Sequence, residues 1–205
     1  MPLSPKHPTL RSRLTGLQVS SFVRPFNEDG RVFIHKAADS VLAASRAGEA
    51  AVVPSKQKFS RSNPDAKRPP PTVVPIPPTI SHFVMNLPAS ATEFLSYYRG
   101  LYAGQEALFA PHTKTNLPMV HVHCFALKSD DDVPRVDICE RVSKELGVTL
   151  RWDGQSGATA SEVEDGQVAV HHVRDVAPAK SMYCASFRLP VEVAFDLRQL
   201  TSGQG

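Results

Sequence analysis

The stretch QVAVHHVRDVAPAKSMYCASFRLP, residues 167–190, decides the fold. It reads as two strands, 167–176 and 181–190, joined by the short link Ala177-Pro178-Ala179-Lys180. So short a link allows only antiparallel neighbours, because parallel strands need a long crossover. Upstream of it, strand-like and helix-like segments alternate, and alternation implies a parallel sheet with helices on its faces. A parallel sheet that ends in an antiparallel pair is a mixed α/β sheet.

Working back along the chain, MVHVHCFAL (119–127) is a strand. The following segment begins at Asp132 with Pro134 in the first turn, carries the apolar stripe Ile138, Cys139, Val142 and Leu146, and closes at Gly147. Glu140 and Lys144 stand at i,i+4 spacing for an ion pair. ISHFVMN (80–86) is a further strand, and Ser90-Ala-Thr-Glu93 has the form of a capping box. Phe94, Leu95, Tyr98, Leu101 and Tyr102 would share one helix face, with Gly104 as the stop. Near the N-terminus, LQVSSFVRPF (17–26) reads as a strand and NEDG (27–30) as a turn. A helix is expected from Arg31, with Phe33, Ile34, Ala37, Ala38, Val41 and Leu42 inward.

Four segments follow from composition. Residues 1–16 form a disordered or truncated N-terminus, and 192–205 a tail. Residues 17–53 and 79–191 form the folded domain. Residues 54–78 hold eight prolines and a basic excess over the single acid Asp65, so they read as a disordered or polyproline insert. The whole chain has 205 residues, 41% hydrophobic and 21% charged, with net charge +3. That mild excess permits a polyanionic partner without demanding one. The three cysteines, Cys124, Cys139 and Cys184, are dispersed and form no C-x-x-C pair. Neither a disulfide framework nor a zinc knuckle is indicated, and a reducing compartment is expected. No apolar run reaches the roughly 18 residues of a membrane span. Lys6, Arg11, Arg13 and Arg24 precede the first acid, Glu28, a pattern shared by a mitochondrial presequence and a frayed terminus.

Four constellations are candidates for chemistry. Asn86-Leu87-Pro88 ends a strand at the sheet's carboxyl edge, where open α/β sheets bind ligands. An amide there can both donate and accept, and proline fixes the backbone beside it. An ordinary strand terminator accounts for the same residues. Asp29-Gly30 should lie on the same edge, where Asp29 could accept from an amino group and Gly30 could let backbone approach a flat ring. A polar turn is the plain alternative. His121 and His123 share a strand face with Cys124 opposite, but no further metal ligands converge on them. Arg174, Asp175 and Lys180 surround the hairpin link and would suit either phosphates or a local ion pair.

FVRPFNEDGRVFI (22–34), HFVMNLPASATEFL (82–95), VHVHCFAL (120–127) and VRDVAPAKSMYCASFRLP (173–190) together resemble the tRNA (guanine-37-N1)-methyltransferase family of eukaryotes and archaea. The resemblance runs in order from about residue 17 to 190, interrupted by the proline-rich segment. It implies a class I methyltransferase, Rossmann-like sheet with a reversed last strand, S-adenosyl-L-methionine as cofactor and tRNA as partner. It implies a monomer, and action in nucleus, cytoplasm and mitochondrial matrix. Residue by residue, Asp29 and Gly30 match the family's contact near the cofactor adenine. Asn86 matches the asparagine between cofactor and target base, and Pro88 shapes that loop.

The same resemblance places the family's glycine-rich cofactor loop, ribose-binding acid, general base and catalytic arginine upstream of the match. The chain therefore resembles the C-terminal part of the catalytic domain. It is expected to be inactive alone and prone to aggregate along an unpaired strand edge. A related wybutosine-pathway aminocarboxypropyl transferase, or a non-catalytic RNA-binding or partner-binding remnant, are the alternatives.

Overall fold

A computed structural model describes residues 23–53, 70–152, 154 and 163–197. They divide between two compact bodies. The smaller takes its described residues from 23–29, 39–53 and 70–78, and the larger from 30–38 and 79–197.

Helix α1, Gly30–Arg46, contributes its first nine residues to the larger body and the remainder to the smaller. It starts one residue ahead of the expected position, and its stripe alternates as read: Ile34, Ala38 and Leu42 are buried, and Phe33, Ala37 and Val41 partly so. In the smaller body, β1 (Ala50–Val53) pairs antiparallel with β2 (Thr72–Pro75). Residues 72–75, read from composition as proline-rich insert, are thus a strand. Val73 and Val74 stand opposite Val52 and Ala51, and such β-branched cross-strand pairs outweigh the surrounding prolines. Pro75 falls at the strand's last position, where a missing N–H does least harm. The expected strand 17–26 lies mostly outside the described residues, and 23–27 have no regular structure.

The larger body is built on a five-stranded sheet of order β3-β4-β7-β6-β5. Its strands are β3 (His82–Met85), β4 (Met119–Leu127), β5 (Arg151–Trp152), β6 (Gln167–Ala177) and β7 (Lys180–Arg188). β3 and β4 run parallel, β7 lies antiparallel to both β4 and β6, and β5 runs parallel to β6. The mixed sheet with a closing antiparallel hairpin is as the sequence indicated. The turn is tighter than read: Ala177 and Lys180 pair, so only Pro178 and Ala179 lie between the strands.

One sheet face carries Val120, Val122, Cys124, Val168, Val170, Tyr183, Ala185 and Phe187, all buried. Covering it are α3 (Val133–Leu146, which follows the single-turn α2, Thr113–Asn116), the 3₁₀ segment Ala91–Tyr98, and Ile34 and Ala38 of α1. Ile138, Val142 and Leu146 of α3 are buried as expected, but the helix's i,i+4 ion pair is Asp137–Arg141 rather than Glu140–Lys144. Gly147 ends α3 in the left-handed region at φ 69°, its N–H donating back to Ser143 and Lys144. A Cβ there would also lie 2.5 Å from Arg99 Nη2. Gly147→Ala should therefore lower unfolding free energy by ~1–2 kcal/mol in urea titration.

Residues 91–104 depart from the continuous helix expected of them. The segment is 3₁₀ through Tyr98 and then a chain of turns, with Gly100 at φ 72°. The cause is tertiary. Gly100 and Tyr102 donate their N–H groups to the Val193 and Ala194 carbonyls of the short helix α4 (Val191–Ala194), both at 2.8 Å. Those donors are withdrawn from an i→i−4 ladder. The expected apolar face survives nonetheless: Leu95, Tyr98, Leu101 and Tyr102 are all buried. The capping box does not form. Ser90 sits at φ −142°, ψ 5° with no side-chain cap bond, because its N–H already donates to Leu87 O and the Glu93 N–H to Ser90 O.

Candidate functional site at the sheet's carboxyl edge

The parallel pair β3–β4 ends on one edge, and Asn86-Leu87-Pro88 leaves β3 there. What holds β3 in place is a pair of buried tyrosines. Tyr98 Oη donates to Met85 Sδ at 3.4 Å, and its ring meets Phe83 edge-on at 5.1 Å. The Ile80 N–H donates to Tyr102 Oη at 3.3 Å. Burial pushes the Tyr102 phenol up to about 12 and raises that of Tyr98 as well. Both stay neutral at physiological pH and act as anchors rather than acids.

The loop is fixed by its own backbone. Besides the bonds from the Ser90 and Ala91 N–H groups to Leu87 O, the Phe125 N–H of β4 donates to Pro88 O at 3.2 Å. Pro88 sets one dihedral, and the carbonyls on either side are then committed to fixed partners. Asn86 is exposed, and among the described residues its amide has no hydrogen-bond partner. A donor and an acceptor are thus presented from a rigid turn, the arrangement a planar heterocycle needs.

Gly30 is the first residue of α1 and lies against the 3₁₀ segment that follows this loop. A Cβ there would sit 3.0 Å from Phe94 Cε1. Arg31 places its guanidinium 5.1 Å from the centroid of the same ring, and His35 Nε2 lies 2.9 Å from Tyr97 O. The glycine therefore has a packing reason of its own. Asp29 precedes it, exposed, in the smaller body.

The two histidines of β4 do share a face, with buried Cys124 on the other. The sequence did not disclose their neighbour. His82 of β3 stacks on His121 with ring centroids 5.3 Å apart and Nδ1 3.0 Å from His121 Nε2, while His121 Nδ1 lies 2.9 Å from Ser186 Oγ. Only the strand register could have revealed this. Burial, with His82 and His123 nearby, lowers the His121 pKa, so the ring is neutral at pH 7. Among the described residues no group of three or more His, Cys, Asp or Glu could hold a metal ion.

Cys124 is no nucleophile. Burial pushes its thiol up to about 11, and it is 1% exposed. Cys139 is buried too. Iodoacetamide at pH 8 should spare both in the folded protein and label them in urea, as peptide mass spectrometry would read.

At the hairpin, Asp175 does not pair with Arg174 or Lys180. Asp175 accepts instead from Lys128, Ser181 and His172, and these bonds, Lys128 foremost, hold its carboxyl well below the usual carboxylate range.

No family model matches the chain, and no solved structure matches it. Curated relatives are. A protein of Fusarium vanettenii named tRNA (guanine(37)-N(1))-methyltransferase is 54% identical over 192 residues, covering 94% of this chain and 39% of its own length. A Neurospora crassa protein of the same name is 56% identical over 181 residues, covering 88% and 36%. One of Schizosaccharomyces pombe, again so named, is 38% identical over 178 residues, covering 87% and 36%. The chain thus spans less than two fifths of the length of each of these three relatives.

Proposed function

We propose, from the chain's homology to one segment of the tRNA (guanine(37)-N(1))-methyltransferases, that it forms one wall of a site where S-adenosyl-L-methionine methylates N1 of guanosine 37 beside the anticodon of tRNA. The observation that carries this reading is the Asn86 amide, presented unpartnered from a rigid turn at the carboxyl edge of the sheet.

Guanine offers an N1–H donor and an O6 acceptor side by side on its Watson–Crick edge. The Asn86 Nδ2 can donate to O6, which leaves the N1 direction, where the proton departs and the methyl arrives, unobstructed. The cofactor, when bound, supplies an electrophilic methyl on sulfonium sulfur. What this chain contributes is alignment, holding the ring so that N1 faces the methyl. The N1 proton must leave as the methyl arrives, and an amide cannot take it. Pro88 keeps the loop from following the ring as it enters. The family resemblance assigns Asp29 and Gly30 a contact to the cofactor adenine, in which the Asp29 carboxylate would accept from its amino group.

A transplant tests the proposal. Residues 17–190 replace the matching segment of the Neurospora crassa relative, and initial rates of tritiated methyl transfer to guanosine-37 tRNA are measured. Retained transfer supports a working wall. A folded transplant with no transfer indicates a remnant.

A further inference from the structure

Beyond the Asn86 loop, the same sheet edge holds a hollow of about 470 Å³ between the end of β4 and the β6–β7 turn. Its floor is apolar, lined by Phe125, Leu127, Ala177 and Pro178, and Lys180 stands at its rim. Leu127 is 75% exposed, unusual for a leucine ending a core strand.

Strand register places the charges. Phe125 stands opposite Met182, and Met182 opposite Arg174, so these three share one sheet face. Leu127, Lys180 and Ala177 form the next row on that face. Asp175 stands opposite Ser181, itself opposite Ala126, and so lies on the other face. There it is taken up by Lys128. Among the described residues neither Arg174 nor Lys180 has an ion-pair partner. Lys180 Nζ lies 4.1 Å from the Phe125 ring centroid. Two unneutralised cations thus flank an aromatic and aliphatic floor. That floor adjoins the Asn86 loop through the Phe125–Pro88 backbone bond.

We infer that this hollow receives one unstacked base of the RNA substrate, a neighbour of the target nucleotide, with Lys180 and Arg174 on the adjoining phosphates. This rests on the tRNA reading above and extends it to a second contact. Apolar and aromatic floors bind nucleobases only when the bases are splayed from a helix, as in a single-stranded loop. Phosphate contacts from lysine and arginine then fix register without reading sequence. A duplex, its bases stacked inside, presents phosphates but nothing for the floor.

The test uses the purified chain with a fluorescein-labelled single-stranded RNA heptamer and the blunt duplex of the same sequence, read by fluorescence anisotropy. The single strand should bind at least about fivefold more tightly than the duplex. Lys180→Gln should weaken single-strand binding about three- to tenfold and reduce the salt slope by ~0.7. Phe125→Leu should weaken it about tenfold. Lys128→Gln, on the opposite face, should change it less than about twofold. Lys180 is exposed, so its variant tests the site without disturbing the core. Absence of binding, equal affinity for duplex, or an equal loss in Lys128→Gln would overturn the inference. A transplant that fails to methylate while this binding pattern holds would overturn the catalytic reading alone. Methylation retained with Lys180→Gln binding unchanged would overturn this one alone.

Discussion

Asn86→Ala in the transplanted enzyme should lower kcat/KM for tRNA methylation by about 10²–10³-fold, with most of the loss in kcat. The size follows from what the amide does. It aligns a ring whose nucleophilic nitrogen must point at a methyl carbon, and misplacement by about 1 Å costs on the order of 10²-fold. The loss should leave stability almost untouched. Asn86 is exposed and its amide bonds to no described residue, so truncation opens no cavity and strands no partner. The urea midpoint of the variant should match wild type, within about 0.5 kcal/mol. Asn86→Asp separates the two halves of the amide. The carboxylate cannot donate to O6, and its charge faces the carbonyl oxygen. It should be as impaired as alanine. If Asn86→Asp retained activity, donation to O6 would not be the residue's task.

Phe187→Ala should have the largest effect on stability, lowering unfolding free energy by about 3–5 kcal/mol. Phe187 is fully buried on β7, which is paired on both sides, and it stands opposite Val120 across the β4 ladder. A ring removed from there leaves a void that a backbone held by two ladders cannot collapse into. Losing that much would consume a large share of a typical domain's 5–15 kcal/mol. Urea denaturation followed by far-ultraviolet circular dichroism reads it. A loss below about 1 kcal/mol would mean the β4–β7 core is looser than the structure shows.

The hairpin was legible because its two runs are long, apolar-alternating and separated by almost nothing. The parallel β3–β4 pair was legible from alternation. Helix α3 could be read at both ends, since Pro134 and Gly147 act through local dihedrals. Where reading failed, distant groups had decided the outcome. Ser90 and Glu93 have the right spacing for a cap, but the carbonyls of Leu87 and Ser90 captured the two amides a cap would have served. Residues 99–104 have a helical stripe, but α4 took the N–H groups of Gly100 and Tyr102. β1 and β2 are four residues each and flank a proline-rich stretch, so neither carried enough period to stand out.

The candidate site divides the same way. Asn86 and Pro88 could be placed on the carboxyl edge from strand direction alone. That the loop is pinned to Phe125, and that His82 reaches His121, depends on register, which one strand's sequence does not contain. The apolar hollow beside Lys180 likewise needs three strand ends brought together.

The central claim is that this chain forms a working wall of a guanosine-37 N1-methylation site. Oligonucleotide mass spectrometry of tRNA incubated with the transplanted enzyme and S-adenosyl-L-methionine tests it most directly. The expected result is N1-methylguanosine at position 37, lost with Asn86→Ala. A folded transplant that leaves guanosine 37 unmodified, or that methylates it undiminished without the Asn86 amide, would contradict the claim.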